Sequence, residues 1–171
     1  LLVYSYRVAG TVGLMMSKIL KVKNKKALRG AIDLGIAMQL TNIARDVNED
    51  KKCNRKYIES DFSFIQETIK ESEIFYQKSF TSISGIPLRS RFSVIVARRV
   101  YKKIGDFILK QKNTKNYNKA GKIYVPTFGK IIETFLSIFD FVKLLFVKEI
   151  NYDNHTNHTI LEENINFNER I

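Results

Sequence analysis

The sequence has no tryptophan, one cysteine and two prolines, and its acidic residues are far fewer than its basic ones. The single cysteine, Cys53, excludes an internal disulfide and a cysteine-based zinc site, and it favours a reducing compartment. Two prolines and eight glycines in 171 residues leave few helix breakers, so long helices are allowed. With 44% hydrophobic residues, the chain is too apolar to be disordered and long enough for one domain.

The charge balance predicts an anionic partner. Lys and Arg number 29 against 17 Asp and Glu, a net charge of +12. A nucleic acid, a phosphorylated substrate or an anionic membrane surface would each suit this excess. Residues 151–171 are instead acidic and rich in asparagine. We therefore expect a domain over residues 1–150 and a polar, mobile tail over residues 151–171, in which His155 and His158 are solvated.

Apolar residues recur at helical spacing along most of the chain, and no alternating strand pattern of any length occurs. The fold class predicted is all-α, with a polar loop at 113–122. The predicted helices cover residues 1–21, 27–51, 61–82, 88–112 and 128–150.

The last predicted helix is strongly apolar, but Glu133, Asp140 and Lys143 interrupt it. These charges argue against a transmembrane span. We expect a core helix, with a surface helix that dips into a bilayer as the alternative.

The helix over residues 27–51 carries a polar stripe that favours a ligand site. A solvated helix face is usually rich in Lys and Glu, whereas this stripe contains Gln, Asn and Asp. Asp46 and Asp50 are one turn apart and about 40° apart around the helix, and Asn42 is one turn before them. Two carboxylates and an amide oxygen at this spacing suit Mg²⁺. The alternative is a solvated acidic pair near Lys51 and Lys52. The stripe consists of Gly35, Gln39, Asn42, Asp46 and Asp50.

The segment Gly35–Asp50, followed by Arg55 and Tyr57, resembles the second aspartate motif of bacterial phytoene synthases. The segment Tyr4–Gly13 resembles the helix that precedes this motif in the same family. The two matches cover about the first 57 residues and have the family's order and separation. More loosely, the segments around Tyr101 and Lys122 resemble the family's C-terminal half.

The resemblance implies an isoprenoid-synthase helical bundle, of which this chain would be the C-terminal portion. It implies a prenyltransferase of carotenoid biosynthesis, which condenses two geranylgeranyl diphosphates head to head into phytoene through a cyclopropyl diphosphate. The alternative within the family is a presqualene or dehydrosqualene synthase that uses farnesyl diphosphate. The implied cofactor is Mg²⁺, with Mn²⁺ as the alternative.

The resemblance also implies roles for individual residues. Asn42, Asp46 and Asp50 would hold the metal, and Asp46, Asp50 and Tyr4 would be catalytic. Lys122 stands where the family has an arginine, so it keeps the charge but lacks the bidentate geometry. Other residues would contact the prenyl diphosphate or line its channel: Gln39, Asn42, Arg45, Arg55, Tyr57, Val8, Val12, Gly13, Gly35, Tyr101 and Lys122.

The family's first aspartate motif has no counterpart in this sequence, which starts inside an apolar run without an initiator Met. We therefore expect a C-terminal fragment of a synthase that is inactive by itself. A cytoplasmic location is expected, with peripheral contact at the inner face of the membrane. A basic helical module that binds membranes or nucleic acid is the non-enzyme alternative. The sequence carries no recognised nucleic-acid reader motif, so no nucleic-acid partner is expected.

Overall fold

The computed structural model describes residues 1–152 and 156–164, and every regular element in those residues is helical. The predicted all-α class is therefore confirmed. A π-helical turn, Tyr6–Gly10, joins the first two helices, and a 3-10 turn, Thr81–Gly85, follows the fourth. The helices are α1 (Leu2–Ser5), α2 (Thr11–Ile19), α3 (Lys25–Lys52), α4 (Phe62–Ser79), α5 (Leu88–Leu109), α6 (Thr114–Ala120), α7 (Thr127–Leu145) and α8 (Thr156–Asn164).

Helix α3 is the centre of the fold and contacts α1, α2, α4, α5 and both short turns. It begins where the Asn24 side chain accepts a hydrogen bond from the Ala27 backbone N–H at 3.1 Å. It ends before Asn54, which has a positive φ of 54°. Its residues Ala27–Leu40 contribute to a core with Phe75, Tyr76 and Ile95. Ala44 and Val47 belong to a second core, formed with α4, α5 and the chain around Tyr117.

Two glycines let the N-terminal helices approach α3 closely. A Cβ added at Gly13 would overlap the carbonyl oxygen of Ala31, and one added at Gly35 would overlap that of Ala9. No side chain fits at either crossing without a backbone shift. The sequence predicted one continuous helix over residues 1–21. The structure has α1, the π-helical turn and α2 in its place, with the π turn next to the Gly35 crossing.

The predicted loop over residues 113–122 is wrong in part, because Thr114–Ala120 forms α6. The Asn113 side chain accepts a hydrogen bond from the Asn116 backbone N–H at 2.8 Å and starts the helix. Helix α6 buries Tyr117 in the second core. A local capping residue and one aromatic anchor thus form a helix in a segment too polar to show a helical stripe.

The expectation that α7 is a core helix is wrong, because most of its apolar side chains are exposed. Its buried residues are Glu133, Ser137 and Leu144. None of the helices in the described part of the chain combines the length and apolar character needed to span a bilayer.

The segment predicted as a tail is described at 151–152 and 156–164, where it contains α8. The expectation of a solvated His158 is wrong: it is 4% exposed and lies 2.7 Å from a carboxylate oxygen of Asp33. Tyr152 and Leu161 are buried beside it. His155 lies outside the described residues. The boundary of the domain at residue 150 stays a prediction.

Candidate functional site

An apolar cleft of about 360 Å³ lies between α2, α3 and the end of α4. Its walls are mostly aliphatic, and the glycine crossings described above form part of its floor. Polar groups lie at its far end, along the C-terminal half of α3. Of the residues that the sequence predicted to line a prenyl channel or bind substrate, the cleft contains Val8, Val12, Gly13, Gly35, Gln39, Asn42 and Tyr101.

Asn42 lies at the polar end of the cleft. Its side-chain oxygen Oδ1 is buried, and no described group donates a hydrogen bond to it. A buried amide oxygen without a partner costs about 1–3 kcal/mol. A cation or a polar ligand group in the cleft would remove this cost. The oxygen lies one helical turn before Asp46, on the face that the polar stripe predicted.

Asp46 lies in a cluster of charges at the end of this stripe. The Arg45 guanidinium donates from Nε and Nη2 to its two carboxylate oxygens, at 2.8 and 2.7 Å. The Lys122 ammonium lies 3.4 Å from Asp46 Oδ1 and donates to Glu49. Burial alone would raise the pKa of Asp46, but Arg45 and Lys122 lower it below its ordinary value. The carboxylate is therefore ionised at neutral pH.

Asp50 has a different environment, although it is only one turn away. Partial burial raises the pKa of Asp50, and the negative charge of Asp46 raises it further. Two carboxylates that repel each other favour a cation between them. Asp50 also lines a second, polar pocket of about 350 Å³, together with Arg55 and Tyr57. The structure thus places Arg55 and Tyr57 with Asp50 in this second pocket, and none of the three lines the apolar cleft.

Tyr4 joins the N-terminal helices to this second pocket. Its hydroxyl donates to the hydroxyl of Tyr57 at 3.0 Å, and the two ring centroids are 4.9 Å apart. This hydrogen bond is the main cause of the raised pKa of Tyr4, and the charge of Asp50 contributes to it. The Tyr4 phenol is therefore neutral and stands near the acidic end of α3.

Two supporting residues were not predicted to act in the site. Glu49 holds the Lys122 ammonium in place, and the only sequence signal for it is its position one turn after Arg45. Tyr117 has a buried hydroxyl that lies 2.8 Å from the backbone carbonyl oxygens of both Ala44 and Arg45, to which it donates. Tyr117 thereby fixes the stretch of α3 that carries Asp46.

Comparison with known proteins relates the N-terminal part of the chain to one family. The model of the squalene/phytoene synthase family matches residues 1–62, which contain α1, α2, α3 and the second pocket. The 15-cis-phytoene synthase of Pantoea ananas is 35% identical to the chain over 123 residues. Residues 1–62 of this chain are therefore similar to the squalene/phytoene synthase family, and the longer alignments are with phytoene synthases. The all-α structure agrees with the isoprenoid-synthase bundle that the sequence resemblance implied.

Other members of the family align over a similar or longer part of the chain. The phytoene synthase of Cereibacter sphaeroides is 35% identical over 127 residues, which are 61% of this chain and 36% of that protein. The chloroplastic phytoene synthase 2 of Solanum lycopersicum is 29% identical over 153 residues, 74% of this chain and 49% of that protein. The alignment with the Pantoea enzyme covers 60% of this chain and 40% of the enzyme. The chain therefore spans about two fifths of the length of these relatives.

The family is generally dependent on a divalent metal, and the donor atoms on α3 fit such an ion in type. Asn42 offers an unpartnered oxygen, and Asp46 and Asp50 offer carboxylates that repel each other. Hard oxygen donors of this kind are preferred by Mg²⁺. Within the described residues, no three His, Cys, Asp or Glu side chains come together as a closed metal cluster.

Proposed function

We propose that this chain supplies one diphosphate-binding side of the active site of a phytoene synthase, a prenyltransferase of carotenoid biosynthesis. The reaction would be the head-to-head condensation of two geranylgeranyl diphosphates to phytoene through a cyclopropyl diphosphate. One observation carries the proposal: an apolar cleft ends at the unpartnered Asn42 oxygen, and two carboxylates follow at one-turn spacing on the same helix. A prenyl diphosphate would match this arrangement, with its apolar tail in the cleft and its metal-bound diphosphate at the polar side chains.

The cleft walls suit a prenyl chain and the cation that ionisation produces. Val8, Val12 and Met38 present hydrocarbon to the cleft. Such walls exclude water, which would otherwise attack the allylic cation. The close crossings at Gly13 and Gly35 leave the cleft free of side chains at its floor.

The charged residues suit the diphosphate. Arg45 and Lys122 are paired with Asp46 and Glu49, so two cations stand ready beside the carboxylates. Either cation could turn its N–H donors to diphosphate oxygens when Asp46 takes up a metal instead. Arg55 and Tyr57, in the second pocket, could donate to the same group from the other side of Asp50.

Mg²⁺, with Mn²⁺ as the alternative, would supply the positive charge that stabilises the departing diphosphate. Asn42, Asp46 and Asp50 would hold it. Tyr4 would keep its proton and hold Tyr57 through their hydrogen bond, which positions both phenols beside Asp50.

Binding of Mg²⁺ with inorganic pyrophosphate to the 171-residue chain tests the diphosphate site directly. We expect the pair to bind measurably by calorimetry and to raise the melting temperature. Asp46→Asn should weaken binding about tenfold or more, because one ionised ligand is lost. Asp61→Asn is the matched control, because Asp61 is an exposed helix cap on α4 and asparagine also caps helices. Equal binding by the parent and Asp46→Asn would contradict the proposal.

Turnover tests the reaction and the substrate. The chain would replace the matching C-terminal part of the Pantoea ananas enzyme, and geranylgeranyl and farnesyl diphosphates would be supplied separately. We expect phytoene from the chimera with geranylgeranyl diphosphate, none from its Asp46→Asn variant, and none from the 171-residue chain alone. A C30 product from farnesyl diphosphate would support the presqualene or dehydrosqualene alternative. Phytoene from the isolated chain would overturn the expectation that it is incomplete.

The proposed substrate and product are both lipids, and the chain is strongly basic. We therefore propose a cytoplasmic location with peripheral contact at the inner face of the membrane, where anionic lipids attract basic surfaces.

A further inference from the structure

The hydroxyl of Tyr117 makes a contact that α3 does not need for its own hydrogen bonding. It donates to the backbone carbonyl oxygens of Ala44 and Arg45, 2.8 Å from each. Helix α3 continues to Lys52, so the regular helix pattern already gives both carbonyls an N–H donor four residues further along. The Tyr117 side chain is 1% exposed. A buried hydroxyl on carbonyls that already have donors fixes one segment of the chain against another.

The segment that Tyr117 fixes consists of α6 and the residues that follow it, up to residue 125. Ile123 and Val125 are buried in the second core, as Tyr117 is. Lys122 stands between these two apolar residues in the sequence and is only partly buried. The core therefore takes alternate side chains of this short stretch, and the Lys122 side chain points out of the core.

The Lys122 side chain reaches the same helix that Tyr117 contacts. Its ammonium donates to Glu49 and lies 3.4 Å from Asp46 Oδ1. The Arg45 carbonyl that Tyr117 contacts belongs to the peptide group that joins Arg45 to Asp46. Lys122 follows Tyr117 by five positions, so the connection between the two contacts is short.

Apolar packing alone would not set the position of Lys122 along α3. The contacts of a hydrophobic core have no preferred direction, so they tolerate small sliding movements of one segment along another. A hydrogen bond weakens steeply when its length or angle changes. The Tyr117 hydroxyl is therefore the contact that sets how far along α3 the ammonium reaches.

We propose that Tyr117 is a positioning residue of the diphosphate site, which holds Lys122 where its ammonium can reach a diphosphate bound beside Asp46. This inference rests on the proposed function and names a residue on which that site depends. Tyr117 is buried in the second core and acts on the ligand only through Lys122. Without the hydroxyl, the stretch after α6 can shift along α3, and the ammonium is in place for a smaller fraction of the time.

The variant Tyr117→Phe keeps the buried ring and removes only the hydroxyl. We expect it to weaken the binding of Mg²⁺ with inorganic pyrophosphate to the 171-residue chain about threefold, which is within the range of coupling between neighbouring residues. Isothermal titration calorimetry measures the affinity, and the melting temperature reports on stability in the same samples.

Tyr76→Phe is the matched control. Tyr76 is also 1% exposed, and its hydroxyl lies 3.1 Å from the hydroxyl of Thr41 on α3. The Thr41 hydroxyl keeps its hydrogen bond to the Ala37 carbonyl oxygen in this variant. Each variant thus loses one buried hydrogen bond to α3, and we expect similar decreases in melting temperature. Only Tyr117→Phe should weaken pyrophosphate binding.

The double variant Tyr117→Phe with Lys122→Ala shows whether Tyr117 acts through Lys122. Once the ammonium is gone, removal of the Tyr117 hydroxyl should cause little further loss of affinity, so that the two effects are not additive. A purely structural role of Tyr117 would give the same loss with and without Lys122, and this result would overturn the proposal.

The remaining outcomes separate this inference from the proposed function. Equal binding by the parent and Tyr117→Phe would overturn the positioning role alone and leave the diphosphate site standing. Weakening by Tyr76→Phe as large as that by Tyr117→Phe would also overturn the role, in favour of a general loosening of α3. A parent that binds no pyrophosphate would overturn the proposed function and the role of Tyr117 with it.

Discussion

At the scale of single residues, the candidate site depends on how Asp46 is neutralised. Its carboxylate accepts two hydrogen bonds from Arg45 and is 3.4 Å from Lys122, which Glu49 also holds. The two cations therefore have carboxylate partners while no diphosphate is bound. A metal ion at Asp46 would compete with both cations, and a diphosphate would give them new partners. The same charges could thus serve the free and the ligand-bound site.

Lys122 tests this exchange of partners, and we expect binding and stability to respond differently. Lys122→Ala should weaken the affinity for Mg²⁺ with pyrophosphate about fivefold, because a cation beside the anion is lost. Its free energy of unfolding should change by less than about 1 kcal/mol, since partly exposed ion pairs contribute little. Lys122→Arg should keep the affinity. Calorimetry and urea denaturation measure the two effects.

Lys102→Ala serves as the control for Lys122→Ala. Lys102 makes a comparable ion pair with Glu73 at 2.6 Å, on α5 and α4, away from both pockets. If Lys102→Ala weakened pyrophosphate binding as much as Lys122→Ala, a general effect of positive charge would explain the result. A specific role of Lys122 would then be rejected.

At the scale of elements, the cleft exists because α2 and the π-helical turn cross α3 at glycines. The carbonyl oxygens of Ala9 and Ala31 occupy the space where side chains would otherwise stand. The family resemblance implied that Gly13 and Gly35 line a prenyl channel. Both glycines lie at close helix crossings and line the apolar cleft, and the binding of a prenyl chain there stays a prediction.

Alanine at either crossing should therefore destabilise the fold, although alanine favours helices. We expect Gly13→Ala and Gly35→Ala each to lower the free energy of unfolding by about 1–3 kcal/mol, because the added methyl group overlaps backbone atoms. Gly105→Ala is the control. Its added Cβ meets only the Ile69 side chain, 3.2 Å away, so the gain in helix propensity should offset the contact. Urea denaturation followed by circular dichroism measures all three, and equal effects at all three glycines would contradict this account.

At the scale of the whole molecule, features that follow from helical spacing could be predicted from the sequence, whereas contacts between distant residues could not. The all-α class and the polar stripe of α3 could be predicted because helical spacing brings Asn42, Asp46 and Asp50 together without knowledge of the rest of the fold. The expectation that α7 is a core helix was wrong because the sequence does not show that its acidic residues face inward. Their partner, Arg99, lies on another helix and cannot be inferred from spacing.

The clearest example of such a long-range contact joins α8, near the end of the described chain, to α3. His158 of α8 lies 2.7 Å from Asp33 of α3, and the Tyr152 hydroxyl donates to the other Asp33 oxygen at 2.8 Å. Asp33 is 1% exposed and lies in the N-terminal half of α3. Helix α8 also contacts α1. An Asn-rich sequence gives no sign of this pairing, because it depends on a partner 125 residues away.

Loss of His158 should therefore detach α8 and destabilise the fold, because the buried Asp33 side chain loses a hydrogen bond. Burial raises the pKa of Asp33, while the hydrogen bonds from His158 and Tyr152 lower it. His158→Ala removes one of these bonds and should lower the free energy of unfolding by about 3 kcal/mol at neutral pH. An acid with a raised pKa binds more protons in the folded than in the unfolded state. The variant's stability should consequently fall as the pH rises above 3.8, the ordinary pKa of the group.

A double-mutant cycle separates this pairing from a general weakening of α8. Asp33→Asn combined with His158→Ala should lose less stability than the sum of the two single variants, because no buried carboxylate then remains unpaired. Glu163→Gln, at an exposed position of α8, should change the free energy of unfolding by less than about 0.5 kcal/mol. Limited proteolysis should cleave the chain between Leu145 and α8 faster in His158→Ala than in the parent. Strictly additive losses, with no pH dependence, would mean that α8 is held by Leu161 and its apolar neighbours rather than by the contact between His158 and Asp33.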